Sequence, residues 1–298
     1  MKKWIIVILL LVCLYLIFIN NGSFFGPKVD IPNVEVQEYD QNNNDKDEDL
    51  ETVDHIQKIK VTEEQIYQGN LLLINSEYPV HQEGIKSDVV NLFKRDELVK
   101  GYGLLENNTY LSEDIARKFS DMVAAAGKEE VDNFWITSGF RDFDEQTKLY
   151  QEKGSDTALP AGYSEHNLGL SLDVGTTQTT MAKAPEGEWI EKNAWKYGFI
   201  LRYPEDKSDI TGIQYEPWHI RYVGLPHSAI MKEKNFVLEE YLDYLKEEKY
   251  ISANINGEEY EISYYTVTKN TTISVPADLH YEISGDNSDG VIVTVFHD

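Results

Sequence analysis

Residues 4–19 read WIIVILLLVCLYLIFI, sixteen apolar or aromatic residues without a charge, led by Lys2 and Lys3. No other stretch constrains the topology so strongly. The run falls slightly short of the ~20 residues that span a bilayer comfortably. No A-x-A-like cleavage site follows, because the next residues are Asn20, Asn21, Gly22 and Ser23. Val12 stands before Cys13 where a lipid-modified leader would carry a small residue, so Cys13 reads as a packed apolar residue. We expect residues 1–20 to be an uncleaved signal anchor that crosses the cell membrane once, with cleavage and secretion as the alternative. Lys2 and Lys3 then lie in the cytoplasm and the rest of the chain outside it.

Beyond the anchor the chain turns acidic. Glu35, Glu38, Asp40, Asp45, Asp47, Glu48, Asp49, Glu51 and Asp54 face only Lys46, with three asparagines at 42–44. That composition predicts a disordered tether over 21–58. The whole chain has 298 residues and a formal net charge of −25, which excludes a protein that holds nucleic acid through its phosphates. With 41% hydrophobic residues it can build a real core. Its one cysteine, Cys13, rules out a disulfide framework, a thiolate zinc knuckle and a CxxC redox pair. Any metal must be held by His, Asp and Glu.

Folded sequence begins near Ile59. Ser112 is placed to cap a helix whose apolar residues Ile115, Phe119, Met122, Val123 and Ala126 recur at helical spacing up to Gly127. FWIT (134–137) reads as a strand running into SGFR, after which Asp142 and Glu145 form a capping-box-like helix start. Arg141 and Gln146 then lie near one helix N-terminus, where an anionic group is favoured. A Gly/Pro-punctuated loop over 154–162 leads to SEHNLGLSLDVG. There Leu168, Leu170 and Leu172 alternate with Gly169, Ser171 and Asp173, so Asp173 faces away from the leucines. A helix is expected from Trp189 to Tyr197, ending at Gly198, and a strand in YEPWHIRYVG. After Phe236 the texture changes to an amphipathic helix over 237–249 and β-branched runs around Asn256-Gly257. We therefore expect an α+β fold, a mixed or antiparallel sheet with packed helices and a metal cleft over 59–235, plus a separate small, mainly β module over 236–298.

His166, Asp173, Glu216 and His219 are the four metal-binding side chains that sit in polar, turn-flanked contexts close to strands. His166 and Asp173 are seven apart, so an unbroken strand would put them on opposite faces, and His166 must come from the loop entering the strand. Pro217 disfavours a helix between Glu216 and His219, which predicts a turn entering a strand. Two imidazoles and one carboxylate around Zn²⁺ leave a fourth position for water, the stoichiometry of a hydrolytic site, and Glu216 is left to work as a base. The same donor types can hold Fe(II) for oxygen chemistry. Taken singly, His166 or His219 would more often be a hydrogen-bonded structural histidine.

The full strings SGFRDFDEQ, AGYSEHNLGLSLDVG, YGFILRYP and ITGIQYEPWHIRYVG resemble the VanY-type D-alanyl-D-alanine carboxypeptidases, zinc enzymes that trim bacterial peptidoglycan stem peptides, and the related L,D-carboxypeptidases. The pattern S-x-H-x-x-G-x-A-x-D followed by E-x-x-H matches Ser164, His166, Gly169, Asp173, Glu216 and His219. It departs at Ser171, where the family carries alanine, a change that should not disturb the ligands. The resemblance spans roughly residues 60–235. It implies zinc on His166, Asp173 and His219, Glu216 as the catalytic base, and Arg141 beside the scissile carbonyl. Gln146 and Ser164 are further candidates for holding substrate, Trp218 for packing behind His219, and Arg221 and Tyr222 for support of the site. The implied activity is removal of the C-terminal D-Ala from a stem peptide outside a Gram-positive-type membrane. L,D-carboxypeptidase or endopeptidase action on the same scaffold, and a wall-binding or sensory module without turnover, are the alternatives. Acyl-enzyme chemistry is disfavoured, since the chain has no Ser-x-x-Lys. Oligomeric state and the role of residues 237–298 are left open.

Overall fold

A computed structural model describes residues 33–38, 56–154 and 159–297. The expected anchor over 1–20, most of the expected tether and His55 lie outside the described residues. Among the described residues no helix is long and apolar enough to cross a membrane.

In chain order the strands are β1 (Val34–Glu38), β2 (Ile56–Lys60), β3 (Val89–Asn91), β4 (Tyr102–Leu104), β5 (Tyr110–Ser112), β6 (Phe134–Ser138) and β7 (Ser171–Gly175). They continue with β8 (Phe199–Leu201), β9 (His219–Tyr222), β10 (Tyr250–Ile255), β11 (Glu258–Thr266), β12 (Thr272–Pro276), β13 (His280–Gly285) and β14 (Gly290–His297). The helices are α1 (Glu113–Gly127), α2 (Phe143–Lys153), α3 (Pro185–Asn193), α4 (Ser208–Thr211), α5 (His227–Lys234) and α6 (Leu238–Glu248). One five-stranded sheet has the order β4-β6-β7-β9-β8, antiparallel except for the β4–β6 pair. A second, fully antiparallel sheet has the order β1-β10-β11-β14-β13. Two ribbons, β2–β12 and β3–β5, complete the set. The α+β class with a mixed sheet and packed helices is as expected.

Local chemistry explains the elements that hold the site. Ser112 Oγ accepts from Ile115 N at 3.4 Å and caps α1, whose Ile115, Phe119, Met122, Val123 and Ala126 are buried against Phe134, Ile136, Leu170 and Leu172. Asp142 accepts from Glu145 N at 2.8 Å and starts α2. Helix α3 begins at Pro185, four residues before the expected Trp189, because proline suits the first helical position; a 3-10 turn, Ala194–Tyr197, then carries the chain to Gly198. Asn256 and Gly257 adopt φ of 55° and 98° and close the β10–β11 hairpin, as a two-residue turn of this type requires.

Two boundaries differ from expectation. Residues 34–38 are a strand: Val34 and Val36 turn inward while Glu35, Gln37 and Glu38 stay exposed, and β1 pairs with β10 from Val34↔Ile255 to Glu38↔Ile251. Acidic composition averaged over the tether hides that alternation. Residues 56–60 likewise pair with β12. Nor do residues 236–297 stand apart, because the described residues from Val34 onward form one compact unit. Leu238, Tyr241, Leu242 and Leu245 of α6 pack with Leu71, Leu73, Ile200, Val223 and Met231 on one side and Ile251, Ile262 and Ile292 on the other, in a single core. The change of texture after Phe236 marks the start of a second sheet.

Candidate active site

Strand register performs the first part of the assembly. Asp173 in β7 stands opposite His219 in β9 and, on its other flank, opposite Ser138 at the end of β6. His166 arrives from outside the strand on a 3-10 turn, Glu165–Asn167, with Ser164 as its N-cap: Ser164 Oγ accepts from His166 N at 3.4 Å. Backbone bonds sew this turn to the SGFR segment. Arg141 N donates to His166 O at 3.1 Å, and Asn167 Nδ2 donates to Arg141 O at 2.7 Å. Gly139 is required there, since a Cβ on it would lie 2.2 Å from Tyr110 O. Its carbonyl accepts the Nδ1–H of His166 at 2.6 Å, which leaves the Nε2 lone pair of that ring free.

That Nε2 lies 3.4 Å from Asp173 Oδ1, and His219 Nδ1 lies 3.0 Å from the same oxygen. The three ligand atoms all fall within 4.8 Å of one another. Behind His219 the Glu165 carboxylate accepts Nε2–H at 3.2 Å, so the ring presents Nδ1 to the cluster. Burial acts to raise Asp173, but the two imidazoles beside it hold its carboxyl well below the usual carboxylate range. Burial lowers the pKa of His166. The same burial works on His219, yet its bonds to Asp173 and Glu165 prevail and push it up to about 9, so a metal ion at Nδ1 competes with a proton. Two oriented imidazoles and an ionised carboxylate fit a divalent ion such as zinc.

Glu216 Oε2 lies 3.9 Å from His219 Nδ1. Burial raises its pKa, with Asp173 and Glu165 adding to the effect and His219 and Arg141 opposing it. Burial lowers that of the Arg141 guanidinium against the Asp173, Glu145 and Glu216 carboxylates. Among the described residues Arg141 Nε and Gln146 Oε1 are buried atoms with no hydrogen-bond partner, while Gln146 Nε2 donates to Leu159 O at 2.6 Å. Trp218, expected to pack, is 40% exposed, and its carbonyl accepts from Val174 N at 2.9 Å. A cavity of about 580 Å³ between Trp195, Ile200, Met231 and Phe236 touches none of the candidate site residues.

Sequence reasoning missed the residue that occupies the centre of this arrangement. Glu165 has no exposed surface and all its acceptor sites are filled: Oε1 accepts from Arg202 Nε and Arg221 Nη1, both at 2.8 Å, and Oε2 from Ser171 Oγ at 3.0 Å and His219 Nε2. Burial of the carboxylate acts to raise its pKa, and the two guanidiniums drive it far down. Ser171, the departure from the family pattern, leaves the ligands untouched and bonds instead to the group that holds one of them. The available signal was two arginines in otherwise apolar runs, Arg202 after Phe199–Leu201 and Arg221 between Ile220 and Tyr222.

Two imidazoles and a carboxylate converging beside a buried glutamate are the donor arrangement of hydrolytic rather than structural metal centres. The family model VanY, D-alanyl-D-alanine carboxypeptidase, matches residues 108–225. A D-alanyl-D-alanine carboxypeptidase of Enterococcus faecium is 66% identical over 99% of this chain and 97% of its own length. The bifunctional D-Ala-D-Ala dipeptidase and carboxypeptidase VanXYC of Enterococcus gallinarum is 39% identical over 47% of this chain and 81% of its own. Among solved structures, the vancomycin-resistance D,D-dipeptidase VanXYg, in complex with a D-Ala-D-Ala phosphinate analogue, superposes with a TM-score of 0.70 at 32% identity, covering 81% of this chain and 99% of that one. The chain belongs to the VanY family of D-alanyl-D-alanine carboxypeptidases.

Proposed function

We propose that this protein is a zinc-dependent carboxypeptidase that removes the C-terminal D-Ala from peptidoglycan stem peptides on the extracytoplasmic side of the membrane. The observation that carries the reading is the convergence of His166, Asp173 and His219 within 4.8 Å, with the Glu216 carboxylate 3.9 Å from His219. His166 Nε2, Asp173 Oδ1 and His219 Nδ1 would hold the ion. Zinc bound there supplies Lewis-acid polarisation of the scissile carbonyl and lowers the pKa of water toward ~7.

The remaining work falls to the protein. Glu216, with its proton affinity raised by burial, takes a proton from the attacking water and passes it to the amine of the departing D-Ala. Arg141 donates to the oxygen on which negative charge develops, a contribution of about 3 kcal/mol for a well-placed donor. Arg141 Nε and Gln146 Oε1, without a partner among the described residues, are groups that a bound peptide would satisfy, the first by an acceptor and the second by an N–H. Ser164 caps the His166 turn.

Release of D-Ala from a pentapeptide ending in D-Ala-D-Ala, measured for zinc-loaded and chelated protein, tests this reading. Loss of activity on chelation and recovery with zinc are expected. A tetrapeptide, a cross-linked stem and free D-Ala-D-Ala run in parallel separate L,D-carboxypeptidase, endopeptidase and dipeptidase action. No turnover on any of the four would leave a wall-binding module as the better description.

A further inference from the structure

The ion-pair chain behind His219 continues past residue 235. Glu239, in the first turn of α6, receives both terminal nitrogens of Arg202, Nη1 at 2.8 Å and Nη2 at 2.7 Å. The remaining nitrogen of that guanidinium, Nε, donates to Glu165 Oε1 at 2.8 Å, and Glu165 Oε2 accepts the Nε2–H of His219 at 3.2 Å. The side chains of Arg202 and Glu165 are wholly buried and that of Glu239 is 14% exposed. We propose that Glu239 is a positioning residue for the metal-binding face of His219, so that the C-terminal helix completes the catalytic centre. The proposal rests on the reading of His219 as a metal ligand.

Geometry gives the first reason. A guanidinium is a planar fork, and here it is gripped on both edges, by Glu239 at the tips and by Glu165 at Nε. With Arg202 and Arg221 both on Oε1, the other Glu165 oxygen is turned toward Ser171 and His219. Without Glu239, two buried N–H groups of Arg202 lose their acceptor, and the fork must rotate or draw in water to recover one. Either movement disturbs the carboxylate that orients His219.

Charge gives the second. Arg202 and Arg221 are balanced by Glu165 and Glu239, so the cluster is neutral. Removing Glu239 leaves an uncompensated buried cation behind a site that has to accept a dication. Glu240 offers an internal control. It holds Lys207 at 3.0 and 2.9 Å and accepts from Val237 N at 3.0 Å, fastening the same helix without reaching Arg202.

The test measures Zn²⁺ affinity on the full chain by competition with a chromophoric chelator, the ligand-field spectrum of the Co²⁺ form, and the thermal midpoint of the metal-free protein, for wild type, Glu239→Gln, Arg202→Met, Glu240→Gln and His219→Ala. Partners that orient metal ligands typically carry 10–100-fold in affinity, so we expect Glu239→Gln to weaken Zn²⁺ about 10-fold and shift the Co²⁺ spectrum, Arg202→Met to do more, and Glu240→Gln to stay within about 2-fold. If Glu239→Gln lowers the thermal midpoint yet keeps wild-type Zn²⁺ affinity and Co²⁺ spectrum, Glu239 is only a brace and the proposal is overturned. Should Arg202→Met not fold, Glu239→Gln decides alone. Wild-type protein that binds neither ion, or His219→Ala that binds Zn²⁺ as tightly as wild type, would overturn the ligand assignment instead.

Discussion

The two five-stranded sheets of this protein are built on opposite principles. In the C-terminal sheet β11 alternates, with Tyr260, Ile262 and Tyr264 buried between more open neighbours, and β14 buries a largely apolar run, Gly290 to Val295, on both faces. The sheet that carries the site buries all four residues of β9, His219, Ile220, Arg221 and Tyr222, and packs Glu165, Ser171 and Arg202 around them. The first arrangement rests mainly on apolar area. The second places ionised groups out of water, where each stands only while its partners stand. One sheet gives the chain a stable body; the other holds Asp173 and His219 in a fixed orientation.

The largest effect should come from the proposed base, Glu216, in the turn that leads into β9. Glu216→Gln keeps size and removes the proposed base, so we expect turnover of a D-Ala-D-Ala pentapeptide by the zinc-loaded protein to fall roughly 10²–10⁴-fold, with zinc affinity unchanged. Activity within a few-fold of wild type would move the base elsewhere.

Next comes the contrast between the sheets themselves. Glu165→Ala strands two buried guanidiniums and should cost about 3–5 kcal/mol of folding stability, whereas Ile262→Val in the C-terminal sheet should cost about 1 kcal/mol. Urea denaturation of both variants measures the difference. Equal losses would mean that the buried charges are solvated in ways the static arrangement hides.

That contrast also accounts for what could be read in the sequence. Local patterns were legible: the Ser112 cap, the Asp142 start of α2, the leucine alternation before Asp173 and the Asn256-Gly257 turn all follow from nearest-neighbour chemistry, and each is present. His166, Asp173, Glu216 and His219 were legible as a set because the strings around them resemble one family pattern, and the fold brings the two stretches together. Glu165, Arg202 and Glu239 were not, because their partners lie 37 residues apart in each step of the chain from one to the next. The β1 strand was hidden by composition, since three acidic or amide side chains surround two inward valines.

A third prediction concerns the seam between the two regions. His227 on α5 is fully enclosed, with Nδ1 at 2.8 Å from Tyr241 Oη and Nε2 at 3.0 Å from Thr294 Oγ1, and burial pushes it down to about 3. The unfolded chain binds this proton near pH 6.5. Stability from the neutral ring is therefore complete above about pH 6.5 and drains away as pH falls toward 3, by up to about 1.4 kcal/mol per pH unit. In His227→Gln, which can still bond both hydroxyls, the pH dependence of urea midpoints should be flatter over this window. A slope equal to wild type would assign the acid sensitivity to other groups.

The smallest effect is expected at the outer edge of the C-terminal sheet. Glu38 ends β1 and accepts from Lys234 Nζ at 2.8 Å and Tyr244 Oη at 2.9 Å, with its side chain 47% exposed. In water an ion pair of this exposure contributes about 0–1 kcal/mol, because solvent screens the charges and two long side chains lose freedom in meeting. The strand has firmer attachments, a five-residue register with β10 and Val36 packed on the core. Glu38→Gln should then lower stability by less than about 1 kcal/mol and leave hydrogen-exchange protection along β10 intact. A loss near that expected for Glu165→Ala, or loss of that protection, would mean that a surface charge and not the ladder holds the N-terminal strand, and that the apolar sheet leans on electrostatics as its neighbour does.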